Sequence, residues 1–216
     1  MSIEQQISNI KNEILDKVDL IAVSKTRTIQ EIKQAYNSGQ LKFGENRVQE
    51  IVDKQSKLPD NIEWHMIGHL QKNKVKYIAG FIKLIHSLDR ISLAKEIDKQ
   101  AKKENRIIDC LIQIKISKED SKFGIKIEEF RDFYKSLETY ENINVIGLMG
   151  MATFTNDIEL INKEFKMIKK IYDEIASIDP RFKVLSIGMS DDYNIALKNG
   201  SNMIRIGSKI FGKRNY

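Results

Sequence analysis

Short apolar runs rich in β-branched residues recur along this chain, separated by longer stretches with the period of a helix. The runs fall at residues 20–24, 42–44, 63–67, 84–87, 107–116, 143–148, 184–187 and 203–206. Several are apolar at successive positions, which suits strands covered on both faces, as in a parallel sheet. Segments of helical spacing lie between them at 47–57, 72–78, 91–103, 127–137, 156–175 and 191–199. Thr28, with Glu31 three residues on, forms a capping box that opens a further helix ending before Gly39. An additional helix over 3–15 precedes the first strand, with Ile3, Ile7, Ile10, Ile14 and Leu15 on one face. Eight strand–helix units close into a barrel, so the expected fold is α/β: a single (β/α)8 TIM-type barrel with an extra N-terminal helix. A doubly wound open sheet is the runner-up, but no GxGxxG follows the first strand.

The 216 residues suit one domain over 1–216, since only Pro59 and Pro180 punctuate the chain and no linker divides it. Cys110 lies inside an apolar run and reads as a buried core thiol, with no second cysteine to pair with. Together with the lack of a basic n-region at the start, this points to a cytoplasmic protein with no membrane span. The net charge of +6 invites nucleic acid as a partner. The lysines, however, are interspersed with acids on helical segments, and no nucleic-acid motif is visible, so that partner is disfavoured.

In a barrel the chemistry sits at the C-terminal ends of the strands. Lys25, in the run VSKT, ends the first strand after Leu20, Ile21, Ala22 and Val23. Burial there would favour the neutral amine, the form that attacks an aldehyde to give a Schiff base. The segment 186–190, SIGMS, leads into a helix that Ser190 would cap, and Arg205, Gly207 and Ser208 follow the last strand. Either loop alone is a weak signal, but two such loops at strands seven and eight point to a phosphate site. A strand-end lysine with a phosphate site suggests pyridoxal phosphate, and an aldolase-type lysine acting on a sugar phosphate competes with it. Metal catalysis fares worse. His65 and His69 are four apart but not on a helix, and His86 stands alone.

The motifs VSKT, FGENRVQE (43–50), WHMIGHLQKNK (64–74), SKFGI (121–125), GLMGMA (147–152), SIGMSDD (186–192) and RIGSKIFGKRNY (205–216) occur in this order. Together they resemble the pyridoxal phosphate homeostasis protein family, whose fold is similar to the barrel domain of alanine racemases. The resemblance spans essentially the whole chain. It implies that Lys25 carries pyridoxal 5'-phosphate as an internal aldimine, and that Ser190, Gly207 and Ser208 hold the phosphate. Arg205 would face the pyridine nitrogen, while Asn46, His65 and Met149 would line the pocket and Ser186 would belong to the same cofactor-binding set. Many relatives are expected to have threonine at position 208; serine keeps the hydroxyl.

An arginine at the ring nitrogen disfavours ring protonation and weakens the cofactor as an electron sink. Racemases of similar fold also use a second domain, and this chain ends at Tyr216, just after the last barrel unit. The expected function is therefore intracellular vitamin B6 homeostasis, holding the cofactor without catalytic turnover; the alternative is an amino-acid racemase. Apo pyridoxal phosphate enzymes are the expected recipients, and the expected assembly is a monomer or weak dimer.

Overall fold

β1 (Asp19–Val23) shows how the apolar runs are used. Leu20 and Ala22 join a core shared with the surrounding helices, whereas Ile21 joins an inner cluster with Leu84, Leu111, Ile146, Met149 and Met203. The strands are therefore buried on both faces, as their sequences require. In the computed structural model, which describes residues 1–14, 16–117, 119 and 123–212, eight parallel strands close in sequence order. After β1 come β2 (Lys42–Glu45), β3 (Glu63–Met66), β4 (Leu84–Leu88), β5 (Ile108–Ile114), β6 (Ile143–Gly150), β7 (Val184–Ser186) and β8 (Met203–Ile206). β8 returns to β1 with Ile21 opposite Arg205, which closes the barrel.

The outer layer comprises α1 (Ile3–Glu13), α2 (Ile29–Asn37), α3 (Val48–Gln55), α4 (Ile91–Lys103), α5 (Phe130–Ser136), α6 (Ile158–Ala176), α7 (Tyr193–Lys198) and α8 (Ser208–Phe211). The capping box of α2 forms as its sequence demands: Thr28 Oγ1 accepts from the Glu31 amide at 3.2 Å, and Glu31 Oε2 accepts from the Thr28 amide at 2.7 Å. Between β3 and β4, the expected helix is a 3₁₀ segment over Lys72–Tyr77. Cys110 is fully buried, and burial raises its thiol pKa, so it serves as a small core residue. Among the described residues no helix is long and apolar enough to cross a membrane. Leu15, residues 121–122 of SKFGI and residues 213–216 of the last motif lie outside the described residues.

Three strand boundaries shape the rim of the barrel. β2 extends to Glu45 and β6 to Gly150, beyond the apolar runs that announce them, while β7 stops at Ser186. Gly147 permits the close approach of β6 to β7, because a Cβ there would lie 1.8 Å from the Val184 carbonyl oxygen.

Candidate functional site

Strand β1 ends in a tight turn, Ser24–Lys25–Thr26–Arg27, closed by the Arg27 amide donating to the Ser24 carbonyl at 3.0 Å. Thr26, at the third position, has φ +65°. That is the signature of a type II turn, whose third position normally takes glycine or asparagine. A β-branched residue there costs on the order of 1–3 kcal/mol and persists only where its surroundings enforce it.

The enforcement comes from α3 and the end of β2. Glu50 Oε2 accepts from the Thr26 amide at 2.8 Å and from Lys54 Nζ at 2.9 Å. Lys54 Nζ also donates to the Ser24 carbonyl at 2.8 Å and to Glu45 Oε1 at 2.7 Å. Ser24 Oγ donates to the same Glu45 oxygen at 2.6 Å. Glu45 is fully buried, and its Oε2 has no partner among the described residues. Burial pushes its carboxyl up to about 7, against the opposing pull of Lys54 and Ser24.

This geometry makes a pH prediction. The folded pKa lies above the ordinary value of 4.5, so the stabilisation is full below pH 4.5 and is lost as the pH rises to about 7. The wild type should therefore lose more stability across that window than Glu45→Gln. Denaturant titrations at several pH values check this, and parallel profiles for the two proteins would exclude Glu45 as the cause.

Lys25 is half-buried and lines a cavity of about 300 Å³ at the C-terminal end of the barrel. Asn46, Ser190, Arg205, Gly207 and Ser208 line the same cavity. Six of the sequence-derived positions thus meet in one place. His65, Met149 and Ser186 do not line it; all three are buried. Met149 belongs to the inner apolar cluster, and His65 and Ser186 are joined to Arg205 by hydrogen bonds through the barrel interior. The cavity also includes Ile67, Met151, Met189, Asp191 and Phe154, which the sequence reading did not single out. Phe154 follows β6 and is 84% exposed, a placement that no periodicity announces.

Ser190 has a different job from the one its sequence suggests. Asp192 is the N-cap residue of α7, and its carboxylate accepts from the Met189 amide at 2.6 Å. Because Asp192 fixes that turn, the Ser190 hydroxyl is free to accept from the Gly207 amide at 3.2 Å, tying the loop after β7 to the loop after β8. Gly188, at φ +98°, packs so closely on α7 that a Cβ would lie 2.6 Å from the Ala196 methyl.

The Arg205 guanidinium is buried with neutral acceptors: the Ser186 carbonyl at 2.7 Å, Ser186 Oγ at 2.6 Å and the Gly150 carbonyl at 3.0 Å. Burial pulls its pKa down to about 10, with Asp192 opposing, so it stays cationic at neutral pH. Beyond Ser186 lie His86 Nδ1 at 3.2 Å and then, from His86 Nε2, His65 Nδ1 at 2.9 Å. Burial drives both rings neutral, His65 down to about 3.

Arginine can only donate, so Ser186 Oγ accepts from it. The direction that leaves fewest buried groups unmatched has the Ser186 hydroxyl donating to His86 and His86 donating to His65. His65 Nε2 then carries a hydrogen with no partner among the described residues. No group of three metal-ligating side chains occurs among the described residues. His69 instead stacks on Phe123, with ring centroids 4.0 Å apart.

A family model described as the alanine racemase N-terminal domain matches residues 1–215. The pyridoxal phosphate homeostasis protein of Aquifex aeolicus is 39% identical over 199 residues, covering 91% of this chain and 87% of that protein. Its counterpart in Pasteurella multocida is 37% identical over 233 residues, covering 100% and 99%. The chain belongs to the pyridoxal phosphate homeostasis protein family. A solved structure, PipY of Synechococcus elongatus with pyridoxal phosphate bound, matches with a TM-score of 0.89 at 30% identity, covering 98% of this chain and 100% of that one. The family resemblance inferred from VSKT, FGENRVQE and the later motifs agrees with these matches, and the barrel agrees with the family's fold.

Proposed function

We propose that this chain binds pyridoxal 5'-phosphate, holds it covalently through Lys25, and serves cellular vitamin B6 homeostasis as a carrier without catalytic turnover. One observation carries the reading. A half-buried lysine, a buried arginine with only neutral acceptors, and two hydroxyl-bearing loops tied together by Ser190 and Gly207 converge on one small cavity. Its residues fit the group. The Ser190 and Ser208 hydroxyls offer hydrogen bonds to a phosphate, Gly207 has no side chain to block its approach, and the Lys25 amine suits an aldehyde. Arg205 is held rigidly enough to present its remaining N–H groups to a pyridine nitrogen. The cofactor supplies carbonyl and electron-sink chemistry when bound.

The residues around that site support carriage over turnover. A guanidinium that stays charged at the ring nitrogen opposes ring protonation. Among the described residues lining the cavity, Asp191 is the titratable group other than Lys25 and Arg205. Apo pyridoxal phosphate enzymes are the natural recipients for a cofactor held at an open rim, in a monomer or weak dimer.

The test mixes loaded protein with an apo pyridoxal phosphate enzyme and follows the recipient's activity. Activation faster than by an equal concentration of free cofactor is expected, with no exchange of the α-hydrogen of alanine in deuterated water. Activation no faster than by free cofactor, together with measurable exchange, would favour a racemase.

A further inference from the structure

The two peptide groups that flank Lys25 are each gripped by a side chain from α3. The Ser24 carbonyl, on one side, accepts from Lys54 Nζ at 2.8 Å. The Thr26 amide, on the other, donates to Glu50 Oε2 at 2.8 Å. Lys54 and Glu50 are bonded to each other at 2.9 Å, one helical turn apart, and Glu45 braces Lys54 from β2 at 2.7 Å. The Lys54 side chain is 6% exposed and Glu45 fully buried, so this ionic cluster is part of the interior.

We propose that Glu45, Lys54 and Glu50 act as the positioning group for Lys25, a clamp that holds its backbone in the strained turn and so aims its amine into the cavity. The proposal deepens the reading that Lys25 captures the cofactor, and rests on it.

Three observations favour a positioning role over a merely stabilising one. First, a buried ion cluster is weak evidence for stability, because desolvation offsets much of its attraction. Second, these ions do not hold two elements together at random points: their bonds fall on the peptide units either side of the one lysine in the cavity. Third, Thr26 sits at a positive φ that a threonine adopts only under constraint, and its own amide donates to Glu50. Glu50 is suited to the task. Burial raises its carboxyl pKa, but the bonds from Lys54 and the Thr26 amide outweigh this and leave it lowered, so the acceptor stays charged.

Glu50 is the place to test the clamp, since its side chain is 23% exposed and its removal leaves the interior filled. In Glu50→Ala the Thr26 amide should exchange with deuterium about 10–100-fold faster, as for the loss of one charge-assisted hydrogen bond. Capture of pyridoxal phosphate on Lys25, read by borohydride fixation and peptide mass, should slow about 10-fold or more. Affinity for pyridoxine phosphate, which has the phosphate but no aldehyde, should stay within about twofold, because no phosphate contact changes. Glu50→Gln should restore both exchange and capture, since its amide oxygen can accept from Thr26 and Lys54.

Wild-type capture by Glu50→Ala, or equal losses of capture and pyridoxine phosphate binding, would overturn the proposal. If the wild type itself fixed no cofactor on Lys25, the carrier reading would fail. The Thr26 exchange rate would still report on the clamp by itself, and an unchanged rate in Glu50→Ala would sink it.

Discussion

Lys25→Ala should fold as the wild type does and retain no cofactor after borohydride reduction. The fold should survive because Lys25 lies in a turn beyond the end of β1, with the turn fixed by the main chain of Ser24 and Arg27 and by Glu50 on Thr26. Nothing in the inner cluster of Ile21, Leu84, Leu111, Ile146, Met149 and Met203 depends on it. The loss of covalent capture should be complete, since a methyl group cannot add to an aldehyde. Peptide mapping of the reduced wild type should place the cofactor's mass on the peptide containing Lys25, and melting curves of the two proteins should agree within a few degrees. A label on Lys72 or Lys209 would overturn the assignment.

Gly207→Val should abolish discrimination between pyridoxal phosphate and pyridoxal. A Cβ at position 207 would already press on Val23, at 3.3 Å from its Cβ and 3.4 Å from its carbonyl oxygen. The extra methyl groups would then fill the space where the loops after β7 and β8 meet. If a phosphate there receives two or more charge-assisted hydrogen bonds, losing them lowers affinity by on the order of 100-fold or more. Pyridoxal, lacking the phosphate, should lose far less. Ser208→Ala should be milder, at about 0.5–1.5 kcal/mol for a single hydroxyl. Equilibrium titration of both ligands against both variants checks this, and equal wild-type affinity for the two would exclude a dedicated phosphate site.

The architecture was legible because it follows from periodicity. Apolar runs without alternation demand cover on both faces, and eight of them separated by helical segments leave few closed arrangements. Lys25 could be placed at the cavity because a residue just past a barrel strand has few other places to go. The finer assignments failed where two physical roles share one residue type. Ser190 could cap or bridge, and the choice was made by Asp192, whose carboxylate took the Met189 amide. Depth was equally hidden. His65 and Met149 lie near strand ends in the sequence, but both side chains are buried and neither lines the cavity; for Met149, β6 runs on to Gly150. Glu45 follows a short apolar run and so resembles an exposed strand end, yet it is buried against Ser24 and Lys54. Only the helix that brings Lys54 back over β2 gives that carboxylate a reason to be there.

A row of hydrogen bonds conducts a proton only when every member can take one up behind as it releases one ahead. The row behind Arg205 cannot. At its head stands a guanidinium that has nothing to accept with. Its far end is His65, whose Nε2 meets no partner among the described residues, and burial makes both imidazoles resist a second proton. This row therefore offers no relay for protons from beneath Arg205. Proton exchange at a bound ligand would then fall to the groups of the rim, Lys25 and Asp191, and to solvent at the mouth.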